Sequence, residues 1–161
     1  MALRHIVVRP EAGDIQLEPY GVVFPVTPGD ERIPVPLGTD ISARGAFTAT
    51  VIRARAWRAA SPLNGLERHP YSVQAFVPLG ASRLVVVAAP PGPAPSRLDQ
   101  LAAIHVPAGW GIAYHPGVWH TGLMGDGMEA ALVSMVRRLP DGSDTEFATL
   151  PFQIELDPIA N

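Results

Sequence analysis

Four side chains with the chemistry of metal ligands and acid–base catalysts lie at short, regular spacings in two stretches of the sequence. Glu67, His69 and Gln74 lie in the first stretch, and His120 lies in the second. On an extended strand, side chains two residues apart share a face, so Glu67 and His69 can point in the same direction. Imidazole and carboxylate groups bind divalent metals and transfer protons near neutral pH. The spacing therefore predicts that these four side chains form one interior site.

The spacing resembles a metal-binding motif of the cupin superfamily, H-x-H-x4-E followed later by P-G-x-x-H. This chain reads E-x-H-x4-Q and then Pro-Gly-Val-Trp-His over 116–120. The fuller pattern, L-E-R-H-P-x-x-x-Q-A-F-x-P over 66–78 with Y-H-x-x-V-W-H over 114–120, is more specific. It resembles the ureidoglycolate lyase family. Members of that family have a single domain of about this length, so the resemblance covers roughly the whole chain.

The resemblance implies a reaction and a ligand set. The reaction is the splitting of ureidoglycolate into glyoxylate and urea, in the breakdown of purine and allantoin nitrogen. Glu67, His69, Gln74 and His120 would be both the catalytic residues and the ligands of a divalent metal such as Ni, Mn, Zn or Fe. His69 and His120 would lie at the reacting centre, with Glu67 as base or ligand and Gln74 orienting the substrate or the metal. We expect no organic cofactor.

The chain departs from the family pattern at three places that line or flank the expected cavity. Ala113 stands where members usually have Asn, and Thr121 stands where a second His often follows. Residues 136–138 read Val-Arg-Arg in place of the usual Asp-Arg-Gly. Two alternatives therefore stay open: a diverged metal-dependent cupin oxygenase or isomerase, and a non-catalytic binder of a small α-hydroxy or ureido acid.

Two residues just before His120 are candidates for substrate binding. Tyr114 is expected on a strand that faces the cavity or the core, and a buried tyrosine hydroxyl needs a hydrogen-bond partner. His115 lies five residues before His120, so strand alternation sends it outward unless the turn between them resets the register. The alternative for His115 is a structural role, in which its ring donates a hydrogen bond to a backbone carbonyl.

The remaining histidines and two of the tryptophans are expected to be structural. His5 and His105 are interpreted as isolated residues, either on the surface or satisfied within the fold. Trp57 and Trp119 are interpreted as packing residues of the barrel, because large aromatic side chains bury much apolar area.

Four arginines are expected outside the site. Arg53, Arg55 and Arg58 lie on or beside one alternating run and are interpreted as a solvated strand face. One of them could instead bind a carboxylate through two parallel hydrogen bonds. Arg68 alternates with Glu67 and His69, so it is expected outside the barrel, at a contact between subunits.

Composition excludes several classes of chemistry. The chain of 161 residues contains no cysteine and no lysine, because all twelve basic residues are arginine. Thiolate nucleophiles, thiolate metal sites, disulfides and Schiff-base catalysis are therefore excluded. A net charge of -3 gives no basic field for nucleic acid, and no apolar run approaches the roughly 20 residues of a membrane span. We expect a cytoplasmic protein with a small-molecule substrate.

Short apolar or alternating runs between frequent Gly and Pro residues predict an all-β chain. The Pro-rich segment 24–38 predicts a loop or lid, and the Ser-x-x-Asp pattern at 96–99 predicts one short helix over 96–103. With the cupin resemblance, we expect a double-stranded β-helix, the cupin jelly-roll barrel, as a single domain over 1–161. Exposed strand edges need a partner, which together with the resemblance predicts a homodimer. The predicted strands cover 4–9, 47–57, 66–69, 74–78, 83–89, 105–107, 112–115, 130–138 and 146–154.

Overall fold

The computed structural model describes residues 3–10, 13–26, 34–38, 44–57 and 63–156, which form fourteen strands and one short 3-10 helix, Leu98–Gln100. The strands are β1 (Arg4–Val7), β2 (Ile15–Leu17), β3 (Gly21–Pro25), β4 (Ala46–Ala54), β5 (Ala56–Trp57), β6 (Leu63–Arg68), β7 (Gln74–Pro78), β8 (Leu84–Ala89), β9 (Ala102–Val106), β10 (Trp110–Tyr114), β11 (Trp119–His120), β12 (Met124–Asp126), β13 (Ala130–Arg138) and β14 (Glu146–Ile154).

The strands form two sheets, and the chain crosses repeatedly from one sheet to the other. The first sheet has the order β1-β9-β8-β11-β6-β14, and it also includes β12 and β5. The second sheet has the order β2-β3-β10-β7-β13-β4. From β6 onward, the chain passes between the two sheets after every one or two strands, which is the winding of a double-stranded β-helix. The predicted all-β cupin jelly roll is therefore confirmed.

Apolar side chains from both sheets form the main core. Phe76, Ile112 and Leu132 from the second sheet pack in one cluster with Val86 and Ile104 from the first. A further apolar cluster covers the other face of β8, so all six residues of this strand are buried. The near-continuous apolar run at 83–89 predicted this burial on both faces.

Several strand predictions hold to the residue, and others differ because the chain changes sheets. The bounds of β7, β13 and β14 are those predicted. The predicted strand 47–57 is interrupted at Arg55: β4 pairs with β13 in the second sheet, whereas β5 pairs with β12 in the first. The predicted loop 24–38 overlaps the end of β3. Residues 27–33 lie outside the described part of the chain, so the lid stays a prediction.

The predicted helix over 96–103 is much shorter in the structure. The helical residues are Leu98–Gln100 alone, and Ala102 already begins β9. The side chain of Gln100 accepts hydrogen bonds from the backbone N–H groups of Ser96 at 2.8 Å and Arg97 at 2.9 Å. This cap closes one turn, and strand pairing of β9 then prevents a longer helix. Among the described residues, no helix has the length and hydropathy of a membrane span.

Candidate metal and catalytic site

Pairing of β6 with β11 brings a carboxylate and two imidazoles together. Glu67 and His120 are direct partners in the antiparallel register, and His69 follows just beyond the end of β6. The Oε1 atom of Glu67 lies 3.4 Å from Nε2 of His120 and 4.0 Å from Nε2 of His69. One ligand atom from each residue lies within 4.8 Å of the other two, which is the spacing of a set that can share a metal ion.

Backbone carbonyls fix the orientation of both imidazole rings. Nδ1 of His69 donates to the carbonyl of Asp144 at 3.1 Å, and Nδ1 of His120 donates to the carbonyl of Val118 at 3.0 Å. With Nδ1 held in each ring, Nε2 is the nitrogen that faces the cluster, and neither Nε2 has a hydrogen-bond partner in the described structure. Histidines that bind metals are held in this way, with the second nitrogen donating to a carbonyl or carboxylate.

The charge states of these groups fit a metal ion. The contact with His120 lowers the pKa of Glu67, although burial acts in the opposite direction, so the carboxylate is ionised near neutral pH. Burial, together with the neighbouring His120, lowers the pKa of His69, which keeps this ring neutral. A carboxylate and imidazole lone pairs form the ligand set that a divalent transition metal prefers. The donor set therefore fits a divalent metal ion.

Gln74 lies in the second sheet and lines the same cavity as Glu67. It is the first residue of β7, and it is 4% exposed. Its Nε2 donates to Oγ of Ser134 at 3.4 Å, whereas its Oε1 has no partner in the described residues. The amide therefore has a buried, unsatisfied acceptor in a residue that lines the cavity, and its role toward a metal or substrate stays a prediction.

Tyr114 is at once a core residue and a neighbour of the cluster. Its ring stacks on that of His120 with 4.4 Å between centroids, and it contacts Phe76 edge-on at 5.8 Å. The side chain is 1% exposed, and its hydroxyl lacks a hydrogen-bond partner in the described part of the chain. Burial and the charge of Glu67 raise the pKa of Tyr114 well above its usual value, so the hydroxyl keeps its proton.

The structure does not bring His115 to the cluster. Its Nε2 lies 3.0 Å from Oε1 of Glu18, and a third of its side chain is exposed. Tyr114 points inward, so the next residue along the chain points outward, as alternation predicted. The predicted substrate-binding role is not supported by this placement. Among the described residues, the ring contacts a carboxylate in place of the backbone carbonyl expected for a structural role.

His5 and His105 are not isolated, which corrects the prediction. Nδ1 of His5 lies 3.1 Å from Nε2 of His105, and the rings stack with 5.4 Å between centroids. Parallel pairing of β1 with β9 creates this contact between residues that are distant in sequence. Burial, together with the neighbouring His5, lowers the pKa of His105 to about 4.

Arg68 and the two tryptophans have structural partners. Arg68 forms an ion pair with Glu146 and lies over the ring of Trp119, 4.4 Å from its centroid. These partners belong to the same chain, and the expected contact between subunits stays a prediction. Trp119 belongs to the apolar cluster that covers the other face of β8, so it is a packing residue, as predicted. Trp57 packs against that cluster too, and it also lines the cavity.

The cavity beside the cluster has a volume of about 560 Å³. Arg53 and Arg55 lie on its rim, and Arg53 forms an exposed ion pair with Glu129. The predicted solvated strand face is thus confirmed for Arg53, whereas Arg58 lies outside the described residues. The sequence did not identify Ser134 and Arg138 as lining residues. The departure from the family pattern at 136–138, which includes Arg138, was the signal nearest to them. The polar lining residues are Arg53, Arg55, Glu67, Gln74, Ser134 and Arg138.

Comparisons with known proteins identify a family. The family model described as ureidoglycolate lyase matches residues 36–157. A ureidoglycolate lyase of Burkholderia mallei (strain NCTC 10229) is 33% identical over 145 residues, which cover 83% of this chain and 82% of that protein. A ureidoglycolate lyase of Azotobacter vinelandii is 41% identical over 71 residues, which cover 44% of this chain and 42% of that protein.

A more distant likeness is found among solved structures. A dTDP sugar isomerase from Desulfovibrio desulfuricans G20 has a TM-score of 0.45 and 20% identity, over 84% of this chain and 78% of its own. That likeness is too weak to inform the fold or the function. The family match and the Burkholderia relative each cover most of the chain, and both include the segments that carry Glu67, His69, Gln74 and His120. The chain therefore belongs to the ureidoglycolate lyase family.

Proposed function

We propose that this chain is a lyase that splits ureidoglycolate into glyoxylate and urea. The observation that carries the proposal is the convergence of the Glu67 carboxylate with two buried, unpartnered Nε2 atoms of His69 and His120. The names of its relatives support the choice of substrate. On one carbon, that substrate carries a hydroxyl, a carboxylate and a ureido nitrogen, so cleavage requires one proton to move from oxygen to nitrogen.

Glu67 is suited to move that proton. Its Oε1 faces the two imidazoles, so its Oε2 remains for the substrate. The carboxylate takes the proton of the substrate hydroxyl, the C–O bond becomes a carbonyl, and the C–N bond breaks. The same proton then passes from Glu67 to the leaving nitrogen, which departs as urea. Atoms and charge balance, and a positioned acid–base group of this kind typically contributes about 10²–10⁴-fold in rate.

Gln74 and Tyr114 are suited to hold the substrate. The free Oε1 of Gln74 can accept a hydrogen bond from the ureido N–H groups, whereas Nε2 of the same amide is already bonded to Ser134. The hydroxyl of Tyr114 keeps its proton and can donate to a substrate oxygen. Both groups are buried, so they meet little competition from water.

Glu67, His69 and His120 would hold a divalent metal, with Gln74 as a weaker neutral ligand. The candidates are Ni, Mn, Zn and Fe, all of which accept imidazole and carboxylate ligands. A bound metal would supply positive charge to stabilise negative charge that develops on substrate oxygen. Metal analysis of the purified protein identifies the ion, and titration into chelated protein measures its affinity.

Release of urea from racemic ureidoglycolate tests the proposed reaction. We expect stoichiometric glyoxylate and urea from the wild-type protein. Absence of urea with every candidate metal would overturn the assignment. In that case, tightly bound iron or manganese would favour the alternative of a cupin oxygenase or isomerase.

We also propose that the chain is one domain over 1–161 and acts in the cytoplasm as a homodimer, in purine and allantoin breakdown. Support for the dimer comes from the strand order, because β4 and β14 each end a sheet and pair on one side only within the described residues. Unpaired strand edges favour pairing with another chain. Light scattering tests the assembly: a mass near the 17.1 kDa of one chain would contradict the dimer.

A further inference from the structure

Arg138 brings a positive charge to the cavity that Glu67 of the cluster lines. It is the last residue of β13, and Ser134 on the same face of that strand also lines the cavity. Among the described lining residues, the sole carboxylate is Glu67, whereas three arginines contribute positive charge. A cavity with this balance favours an anionic ligand.

Two side chains hold the guanidinium of Arg138 from one side. Its Nη1 donates to Oδ2 of Asp144 at 3.0 Å and to Oγ1 of Thr145 at 2.8 Å. The Asp144 side chain is 5% exposed, and its Oδ1 accepts the backbone N–H of Leu139 at 2.8 Å. A buried, hydrogen-bonded carboxylate of this kind fixes the plane of the guanidinium.

The opposite edge of the guanidinium remains available. Nε and Nη2 of Arg138 have no hydrogen-bond partner in the described part of the chain, and 48% of the side chain is exposed. These two nitrogens carry parallel N–H groups that match the two oxygens of a carboxylate.

The other two arginines of the cavity are less suited to this role. Arg53 already forms an ion pair with Glu129, on an exposed part of the rim. Arg55 lies on the rim at the break between β4 and β5, and no hydrogen bond of its guanidinium is found among the described residues. Arg138 is therefore the arginine whose position and partners best fit a ligand bound at the cluster.

We propose that Arg138, oriented by Asp144, binds the carboxylate of a small α-hydroxy or 2-oxo acid whose reacting carbon lies at the cluster. This inference rests on the proposed function and adds the group that selects an anionic substrate. The backbone carbonyl of Asp144 also accepts the Nδ1 hydrogen of His69, so one residue positions both the carboxylate-binding arginine and a ring of the cluster.

Kinetics with Arg138→Gln test the subsite, and Arg137→Gln is the matched control. Arg137 is the next residue on β13, and its Nη1 donates to the carbonyl of Gly45. We expect the KM for ureidoglycolate to rise about 10- to 100-fold in Arg138→Gln, the usual consequence of losing a charge-assisted hydrogen-bonded pair. In Arg137→Gln, the KM should stay within about twofold of the wild-type value.

Calorimetry with glycolate and its neutral amide, glycolamide, gives a readout that does not depend on turnover. Wild-type protein should prefer glycolate, and Arg138→Gln should reduce that preference at least about tenfold. Arg138→Lys keeps the charge and a contact with Asp144, so it tests the subsite even if Arg138→Gln unfolds. It should keep part of the preference, because lysine lacks the paired donors.

The two proposals fail in different ways. If the protein prefers glycolate through Arg138 but releases no urea, the lyase assignment fails and the carboxylate subsite stands. If the protein releases urea while Arg138→Gln keeps both the wild-type KM and the wild-type preference for glycolate, the subsite is overturned and the lyase assignment stands. Unchanged preference in Arg138→Lys, if Arg138→Gln does not fold, would overturn the paired-donor geometry.

Discussion

Glu67→Gln is the sharpest test of the proton transfer assigned to this site. The substitution keeps the shape and hydrogen-bonding reach of the side chain but removes its negative charge and its basicity. Glu67 Oε1 lies 3.4 and 4.0 Å from the two imidazole Nε2 atoms, so the amide would occupy the same place beside His120 and His69. We expect urea release to fall sharply while the fold is retained.

The magnitude follows from the role of the carboxylate. Loss of a general base typically lowers the rate about 10²–10⁴-fold, which corresponds to about 2.7–5.4 kcal/mol in the activation barrier. The effect on folding should be smaller than about 1 kcal/mol, because a third of the side chain is exposed and it has no ion pair with an arginine of the described residues. A neutral amide is also a weaker metal ligand, so metal content should fall as well.

The assay compares kcat/KM for urea release with thermal unfolding of the same preparations. Glu146→Gln is the matched control, because this glutamate lies on the neighbouring strand β14 and pairs with Arg68 outside the cluster. It should keep activity within about twofold of wild type and lose at most about 1 kcal/mol of stability. The reasoning is refuted if Glu67→Gln retains more than about a tenth of wild-type kcat/KM at saturating metal.

Three further outcomes are expected. His120→Ala should lower urea release at least about 100-fold, and it should lower the unfolding free energy by about 2–4 kcal/mol because the ring is 1% exposed and donates to a backbone carbonyl. His105→Ala makes the same chemical change outside the cluster and should keep its activity. Equal activity in both variants would show that the site lies elsewhere. The pKa of His105 is lowered to about 4 in the fold, so the unfolded chain binds more protons between pH 6.5 and 4. Stability should therefore be fully present above about pH 6.5 and decline as the pH falls toward 4, and a denaturation series with His105→Asn should show a shallower decline over this range. Chelation of the metal should lower the thermal midpoint of the wild-type protein, since a ligand that binds only the folded state stabilises it. The thermal midpoint of His69→Ala should not change on chelation. An equal shift in both proteins would show that the ion binds elsewhere.

The sequence by itself determined several of the strands and the faces that their side chains occupy. The all-apolar run at 84–89 required burial on both faces, and the strand predicted over 130–138 has those bounds in the structure. Alternation also placed Glu67 and His69 on one side and sent Arg68 and His115 away from it. These features are local, because the period of two along an extended chain fixes which neighbours share a face.

Tertiary structure alone decided which of those faces meet. Periodicity does not state that His120 lies opposite Glu67, that His5 lies beside His105, or that the chain changes sheets at Arg55. Each contact joins residues far apart in sequence, and it depends on which strands pair and in what register. The Arg138–Asp144 pair was not predicted, although its partners are only six residues apart. The turn between them determines the directions of both side chains, and strand alternation does not continue through a turn. A single sequence reveals the donor groups, whereas the pairing of the strands that carry them determines the site.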